Sequence, residues 1–239
     1  MTWRVGTVVG RRQESATAVT LVLQVPGWPG HLAGQHVDVR LTAEDGYTAT
    51  RSYSVASAPD GERVELVVES VVDGEVSPYL TGAVVVGDPL ELRGPVGGWF
   101  VWRPEQTEPV TLVAGGSGVV PLAAMLRARA RAGSDADVRL VYSVRSADQL
   151  CFGDELRALA GDGFTPVYTR TAPPGWPRPA ARLDAATLAG ATWPADRHPS
   201  CYVCGPTGFV EAVADLLIEA GHDPARVRTE RFGPSGGNG

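Results

Sequence analysis

Val110-Thr111-Leu112-Val113-Ala114, followed by Gly115-Gly116-Ser117-Gly118-Val119-Val120-Pro121, is the stretch on which the reading of the fold turns. The first five residues form an apolar run bounded by glycine, as a parallel strand covered on both faces requires. After the glycines, Leu122-Ala123-Ala124-Met125-Leu126-Arg127-Ala128-Arg129-Ala130-Arg131 consists of good helix formers. Strand, glycine-rich turn and helix, in that order, is the local arrangement that holds a pyrophosphate on free backbone N–H groups. The alternation continues downstream. Residues 138–144, 165–169 and 200–204 read as strands, and residues 154–159 and 208–220 as helices. Such alternation predicts an α/β domain with a mainly parallel sheet. Residues 173–179 are a proline-rich loop, and 234–239 read as a flexible tail.

Upstream of Val110 the pattern differs. Residues 103–109 are polar and carry two prolines, which sets a boundary with domains at 1–104 and 105–233 and the tail at 234–239. Short strands are expected at 3–9, 18–24, 36–41, 51–56, 63–69 and 88–92, with Gly, Pro and Asp between them. That spacing suggests a small antiparallel barrel. His36-Val37-Asp38-Val39-Arg40-Leu41 alternates as a half-buried strand does.

Arg51-Ser52-Tyr53-Ser54 suits a ligand that is flat at one end and anionic at the other. Arg51 can fork onto a phosphate, Tyr53 can stack on a planar ring, and Ser52 and Ser54 can donate to ring or ribose oxygens. On its own the tetrapeptide is equally an exposed barrel face. Asp73-Gly74-Glu75-Val76-Ser77-Pro78-Tyr79-Leu80 reads as a tight turn and a short helix capped by Ser77, with Pro78 at its first position. Its start is a natural pyrophosphate seat, or else an ordinary surface helix. The glycines and proline of residues 93–100 permit close approach of backbone to a ligand.

Composition narrows the function. The chain has 239 residues, 44% apolar and 20% charged, with net charge −6. This is a globular composition that argues against nucleic acid as the main partner. No apolar run reaches the length of a membrane span, and Met1-Thr2-Trp3-Arg4 does not begin a signal peptide, so a cytoplasmic location is expected. Three cysteines, Cys151, Cys201 and Cys204, give no disulfide framework and are too few for a four-thiolate iron–sulfur centre. No metal cluster is expected. Cys201 and Cys204 lie three apart in a strand, so they point to opposite faces.

These pieces in register make the chain resemble the ferredoxin–NADP reductase family of flavoproteins over nearly its full length. They are Arg51-Ser52-Tyr53-Ser54, Gly74-Glu75-Val76-Ser77 with Tyr79-Leu80, Gly94-Pro95-Val96-Gly97, Gly115 to Pro121, Cys204-Gly205-Pro206 and Glu230-Arg231-Phe232. The match is closer to reductase modules of bacterial oxygenases. The resemblance implies an N-terminal Greek-key antiparallel β-barrel that binds FAD and a C-terminal α/β domain that binds NAD(P). It implies Arg51 on the flavin phosphates, Tyr53 and Ser54 against the isoalloxazine, and Val67 and Val68 along the ribityl chain and adenosine. Gly74, Val76 and Ser77 would hold the pyrophosphate, and Phe232 with Glu230 would close the flavin's other face. Gly116, Ser117 and Gly118 would receive the nicotinamide nucleotide's pyrophosphate, with Cys204, Gly205 and Pro206 near the nicotinamide. Glu69 departs from the Lys or Arg that the family often carries there.

The implied chemistry is hydride transfer from NAD(P)H to flavin and passage of electrons to a separate acceptor, such as a ferredoxin or an oxygenase component. Ser54, Cys204 and Glu230 are the catalytic candidates. Such chemistry rests on orientation more than acid–base groups, in keeping with four scattered histidines and no triad. Arg145 and Ser146, just after the strand at 138–144, suit a 2′-phosphate and lean the cofactor toward NADPH, with Asp148 nearby as the counterweight. Arg170 and Arg182 are further candidates, whereas Arg127, Arg129 and Arg131 read as a solvated helix face. FMN in place of FAD stays open, as do a free-flavin or quinone reductase and a non-catalytic electron-transfer or cofactor-binding subunit. A monomer is expected.

Overall fold

The computed structural model describes residues 2–232; the tail expected at 234–239 lies outside the described residues. The chain divides into two compact units, Met1–Arg103 with Ala123–Arg131, and Pro104–Leu122 with the chain from Ala132 onward.

The first unit carries β1 (Trp3–Gln13), β2 (Ala18–Gln24), β3 (His36–Thr42), β4 (Thr48–Ser54), β5 (Arg63–Glu69), α1 (Ser77–Gly82) and β6 (Pro89–Val96). All its strand pairs are antiparallel, in the order β4-β3-β6-β1-β2-β5. A bridge between Val55 and Leu66, beside an Ala56 N–H donating to the Glu65 carbonyl at 2.7 Å, brings the end of β4 onto β5. The outer strands therefore meet, and the sheet curls into a barrel. β3 shows why the alternation forms it: Val37 and Val39 enter the core with Leu21, Leu23, Leu66 and Leu92, and Asp38 and Arg40 face outward. Burying such side chains is worth about 1.5–3 kcal/mol each before the cost of ordering the chain. Outside, Arg40 forks onto Glu91 at 2.8 and 2.9 Å, and Trp3 lies against Arg40 and Arg93 at 4.2 and 4.9 Å.

Two local expectations need correction here. β6 continues through Gly94-Pro95-Val96, where a turn was expected, because Gly94 has no side chain: a Cβ there would lie 2.9 Å from Val37 Cγ1. Arg127 is not on a solvated face. Its Nη1 donates to the Ala56 carbonyl at 2.7 Å, and its side chain is 13% exposed.

The second unit carries β7 (Val110–Gly115), α2 (Val119–Ala132, which ends within the first unit's share of the chain), β8 (Val138–Val144), α3 (Gly153–Ala160), β9 (Phe164–Tyr168), α4 (Ala185–Ala191), β10 (Ser200–Pro206), α5 (Thr207–Glu219) and β11 (Val227–Phe232). Its sheet is parallel throughout, in the order β11-β10-β7-β8-β9. All of β7 and all of β10 except Pro206 are buried, as strands with both faces covered must be. The chain runs from β7 outward to β9, then returns to the other side of β7. The sheet therefore has a topological switch point between β7 and β10, and in open α/β sheets the crevice at the carboxyl ends of such strands is where ligands bind.

Candidate functional site

In the first unit, β4 and the turn before α1 bring charged and aromatic groups together. Arg51 Nη2 donates to Glu75 Oε2 at 2.6 Å, and the Tyr47 hydroxyl donates to Glu75 Oε1 at 2.7 Å. The Tyr47 and Arg51 hydrogen bonds hold the Glu75 carboxyl below its ordinary range. Tyr53 packs against the barrel core, and burial pushes its phenol up to about 12, so it remains a neutral ring and hydroxyl. Ser54, at the end of β4, is 4% exposed, and its Oγ has no hydrogen-bond partner. A buried hydroxyl without a partner costs roughly 1–3 kcal/mol, so Ser54 is a polar group awaiting a ligand. His36 lies opposite Ser54 in register, and burial lowers its pKa against the opposing pull of Asp38.

The strand does not bring Ser52 to this face. Its hydroxyl donates to Asp38 Oδ1 at 2.7 Å, and Asp38 also accepts from Arg93 at 2.7 Å. Ser77 is not the cap of α1 either. Val76 takes that position, without a side-chain cap, and Ser77 Oγ accepts instead from the Val71 N–H at 3.0 Å. The helix start is thus left without a side-chain acceptor, while Ser77 ties down the loop before it. Gly74 sits in that loop, where a Cβ would be 3.0 Å from both Ser77 Oγ and the Val71 carbonyl. On β5, Val67 and Val68 are buried.

In the second unit, the predicted nucleotide residues converge on the switch point. Gly116-Ser117-Gly118 forms a 3₁₀ turn leading directly from β7 into α2. A Cβ on Gly118 would collide with the Cys204 carbonyl, and one on Gly205 would lie 3.0 Å from the Gly115 carbonyl. Two backbones can approach this closely only without side chains. Gly116 adopts φ +54° with open space around its Cα. Such a cradle, open toward solvent and lined by N–H groups, fits a pyrophosphate. Pro206 is exposed at the end of β10 and pairs with the half-buried Phe232.

Cys204 stands opposite Glu230 in the β10–β11 register. Burial raises the Glu230 carboxyl to about 7, and burial together with Glu230 raises the Cys204 thiol well above its ordinary value. Cys204 is therefore a neutral thiol, and Glu230 can hold or release a proton near neutrality. Cys201 is also buried, with its thiol raised to about 12. The three cysteines are free, and no group of three metal-ligating side chains occurs among the described residues.

Arg145 and Ser146 follow the carboxyl end of β8. The Arg145 carbonyl accepts from the N–H groups of Arg170 and Thr171 at 2.9 and 3.0 Å, so the loops after β8 and β9 are joined. Both Arg145 and Arg170 are exposed, and among the described residues neither guanidinium meets a protein acceptor. Sequence reasoning missed Glu75, and it named Arg170 without its link to Arg145. An Arg–Glu pair 24 residues apart leaves no periodic signal. All 21 basic residues counted in the chain are arginines, so any phosphate held by a basic side chain here is met by a planar fork.

Taken together, a barrel with an orphaned hydroxyl beside an arginine and a parallel sheet with a glycine cradle at its switch point define a two-nucleotide oxidoreductase. The comparisons agree. Residues 7–101 match the oxidoreductase FAD-binding domain, and residues 112–215 match the oxidoreductase NAD-binding domain. The chain belongs to the ferredoxin–NADP reductase-like family of NAD(P)H-dependent flavoprotein oxidoreductases, with FAD and a nicotinamide dinucleotide as cofactors. It is 29% identical, over 97% of its length and 68% of the relative's, to the 2-halobenzoate 1,2-dioxygenase electron transfer component of Burkholderia cepacia. It is 31% identical, over 96% of its length and 60% of the relative's, to an NADPH oxidoreductase of Mycobacterium tuberculosis. The chain thus spans about three-fifths to two-thirds of these curated relatives. Among solved structures it matches the flavohem-like FAD/NAD binding domain of nitric oxide dioxygenase from Vibrio cholerae, with TM-score 0.83 and 29% identity, covering 97% of this chain and 99% of that one. No described helix is long and apolar enough to cross a membrane.

Proposed function

We propose that this chain is an FAD-dependent reductase that prefers NADPH to NADH and passes electrons to a separate acceptor protein, of the oxygenase-component or ferredoxin kind. The observation that carries the nicotinamide choice is the pairing of Arg145 and Arg170, two guanidiniums without protein acceptors on joined loops at the carboxyl edge of the sheet. An acidic protein rarely leaves two adjacent arginines unsatisfied, and a phosphate monoester would fork onto them. The relative named an electron transfer component of a dioxygenase supports the separate acceptor. We place the boundary between the nucleotide-binding halves at residues 104 and 105.

Bound FAD supplies the chemistry that accepts a hydride from reduced nicotinamide and gives up electrons one at a time. The chain's residues orient the cofactors. Arg51 takes a flavin phosphate, Gly74, Val76 and Ser77 offer the open start of α1, and Tyr53 packs beside the ring. Ser54 gives its unpartnered hydroxyl to the ring edge. Val67 and Val68 exclude water along β5. Gly116, Ser117 and Gly118 take the dinucleotide pyrophosphate, and Cys204, Gly205 and Pro206 flank its nicotinamide end. Glu230 keeps a proton on its carboxyl below about pH 7, so no full negative charge stands beside the Cys204 thiol there.

Steady-state kinetics with a one-electron dye test the reading. kcat/KM for NADPH should exceed that for NADH at least tenfold, and Arg145→Ala should erase most of the difference. Equal values for the two nucleotides would refute the preference. Faster turnover with free FMN than with any ferredoxin or oxygenase component would replace the protein acceptor with a flavin substrate.

A further inference from the structure

We propose that Glu75 is a placeholder for the flavin nucleotide's phosphate on Arg51, and so sets how tightly the chain holds its cofactor. This rests on the assignment of Arg51 to the flavin phosphates. Both carboxylate oxygens of Glu75 are engaged, one by Arg51 Nη2 at 2.6 Å and the other by the Tyr47 hydroxyl at 2.7 Å. The remaining printed bond of the Arg51 guanidinium is local, from Nη1 to the Thr50 carbonyl at 2.8 Å. The forked face that would meet a phosphate is therefore already occupied by an anion. Glu75 is also next to Val76, whose position at the start of α1 lacks a side-chain cap.

A phosphate arriving there meets a carboxylate of the same charge on the guanidinium it needs. Its binding exchanges one ion pair for another and carries Glu75 off Arg51. The exchange is feasible because the pair is exposed, at 51% and 48% for the two side chains, and exposed pairs are weak. Without cofactor, Glu75 and Tyr47 keep Arg51 neutralised and near the place where it is used. With cofactor, the displaced carboxylate opposes the phosphate charge.

The test compares FAD with riboflavin, which has the same ring and no phosphate, on the full chain stripped of flavin. Dissociation constants come from quenching of flavin fluorescence. Glu75→Gln and Glu75→Ala should each bind FAD about tenfold tighter than the parent chain and bind riboflavin unchanged, while Arg51→Ala should bind FAD more weakly. FAD affinity that is unchanged or reduced in both Glu75 variants would overturn the placeholder, since Glu75 would then be positioning Arg51. Equal tightening for riboflavin would overturn it too, because the effect would lie in the ring pocket. An Arg51→Ala variant that keeps full FAD affinity would remove the underlying assignment, and the placeholder with it.

Discussion

At the scale of single residues, the chain's unusual chemistry is concentrated at Cys204 and Glu230, facing positions on β10 and β11. Burial raises the Glu230 carboxyl from 4.5 to about 7. The folded chain therefore binds a proton that the unfolded chain has lost between these values. Folding stability falls as pH rises through that window and levels off above it. The full effect is at most about 3 kcal/mol, at 1.36 kcal/mol per pKa unit. Urea unfolding of wild type should lose stability between pH 5 and pH 8, and Glu230→Gln, which cannot ionise, should lose less. Identical slopes for the two proteins would show that Glu230 is not the group responsible. The thiols make a second residue-level prediction. Cys151, Cys201 and Cys204 are all buried, and the latter two are held protonated. A disulfide reagent at pH 8 should find no reactive thiol in the native chain and three after denaturation, and rapid native labelling of Cys204 would contradict its neutral state.

At the scale of elements, the glycine turn between β7 and α2 gives the sharpest contrast between neighbours. Gly118 has an ordinary backbone conformation, but its Cβ would strike the Cys204 carbonyl, whereas Gly116 has φ +54° and free space. Gly116→Ala should cost only the strain of a left-handed alanine, about 1–2 kcal/mol. Gly118→Ala must push β10 and the turn apart, and should raise KM for NADPH at least tenfold while leaving flavin content unchanged. Equal effects of the two variants would mean that the close approach has no role. This turn was legible in the sequence because apolar run, glycines and helix formers are local signals, and β3 was legible because its alternation maps directly onto Val37 and Val39 pointing inward. What was not legible depended on partners distant in sequence. Arg127 looks solvated by helical spacing, yet it reaches the Ala56 carbonyl 71 residues away. Ser77 looks like a cap until Val71 claims its hydroxyl. β6 looks broken at Gly94-Pro95, but the neighbouring β3 accepts it because Gly94 adds no bulk against Val37. α4 is short and weakly patterned, and Glu75 carries no hint of Arg51 in its neighbours.

At the scale of the whole molecule, the two cores are built from separate sets of residues, Leu21 to Leu92 in the barrel and Val113 to Val227 in the parallel sheet. Each cofactor should therefore stabilise through the unit that binds it. A ligand that binds only the folded chain adds about 2.7 kcal/mol at a free concentration of 100 times its Kd. For a chain of this size each kcal/mol moves the thermal midpoint by about 2–4 °C. Removing FAD should lower the midpoint by roughly 5–10 °C, and adding it back should restore the loss. The net charge of −6 works against binding a polyanion at long range, so attraction must come from local arginines. Arg51→Ala should accordingly abolish most of the FAD-dependent shift while leaving the midpoint of the flavin-free chain near that of wild type, because its pair with Glu75 is exposed and worth little. A flavin-free midpoint that fell by as much as the holoprotein's would make Arg51 a structural residue of the barrel, and the phosphate assignment would fail on that measurement alone.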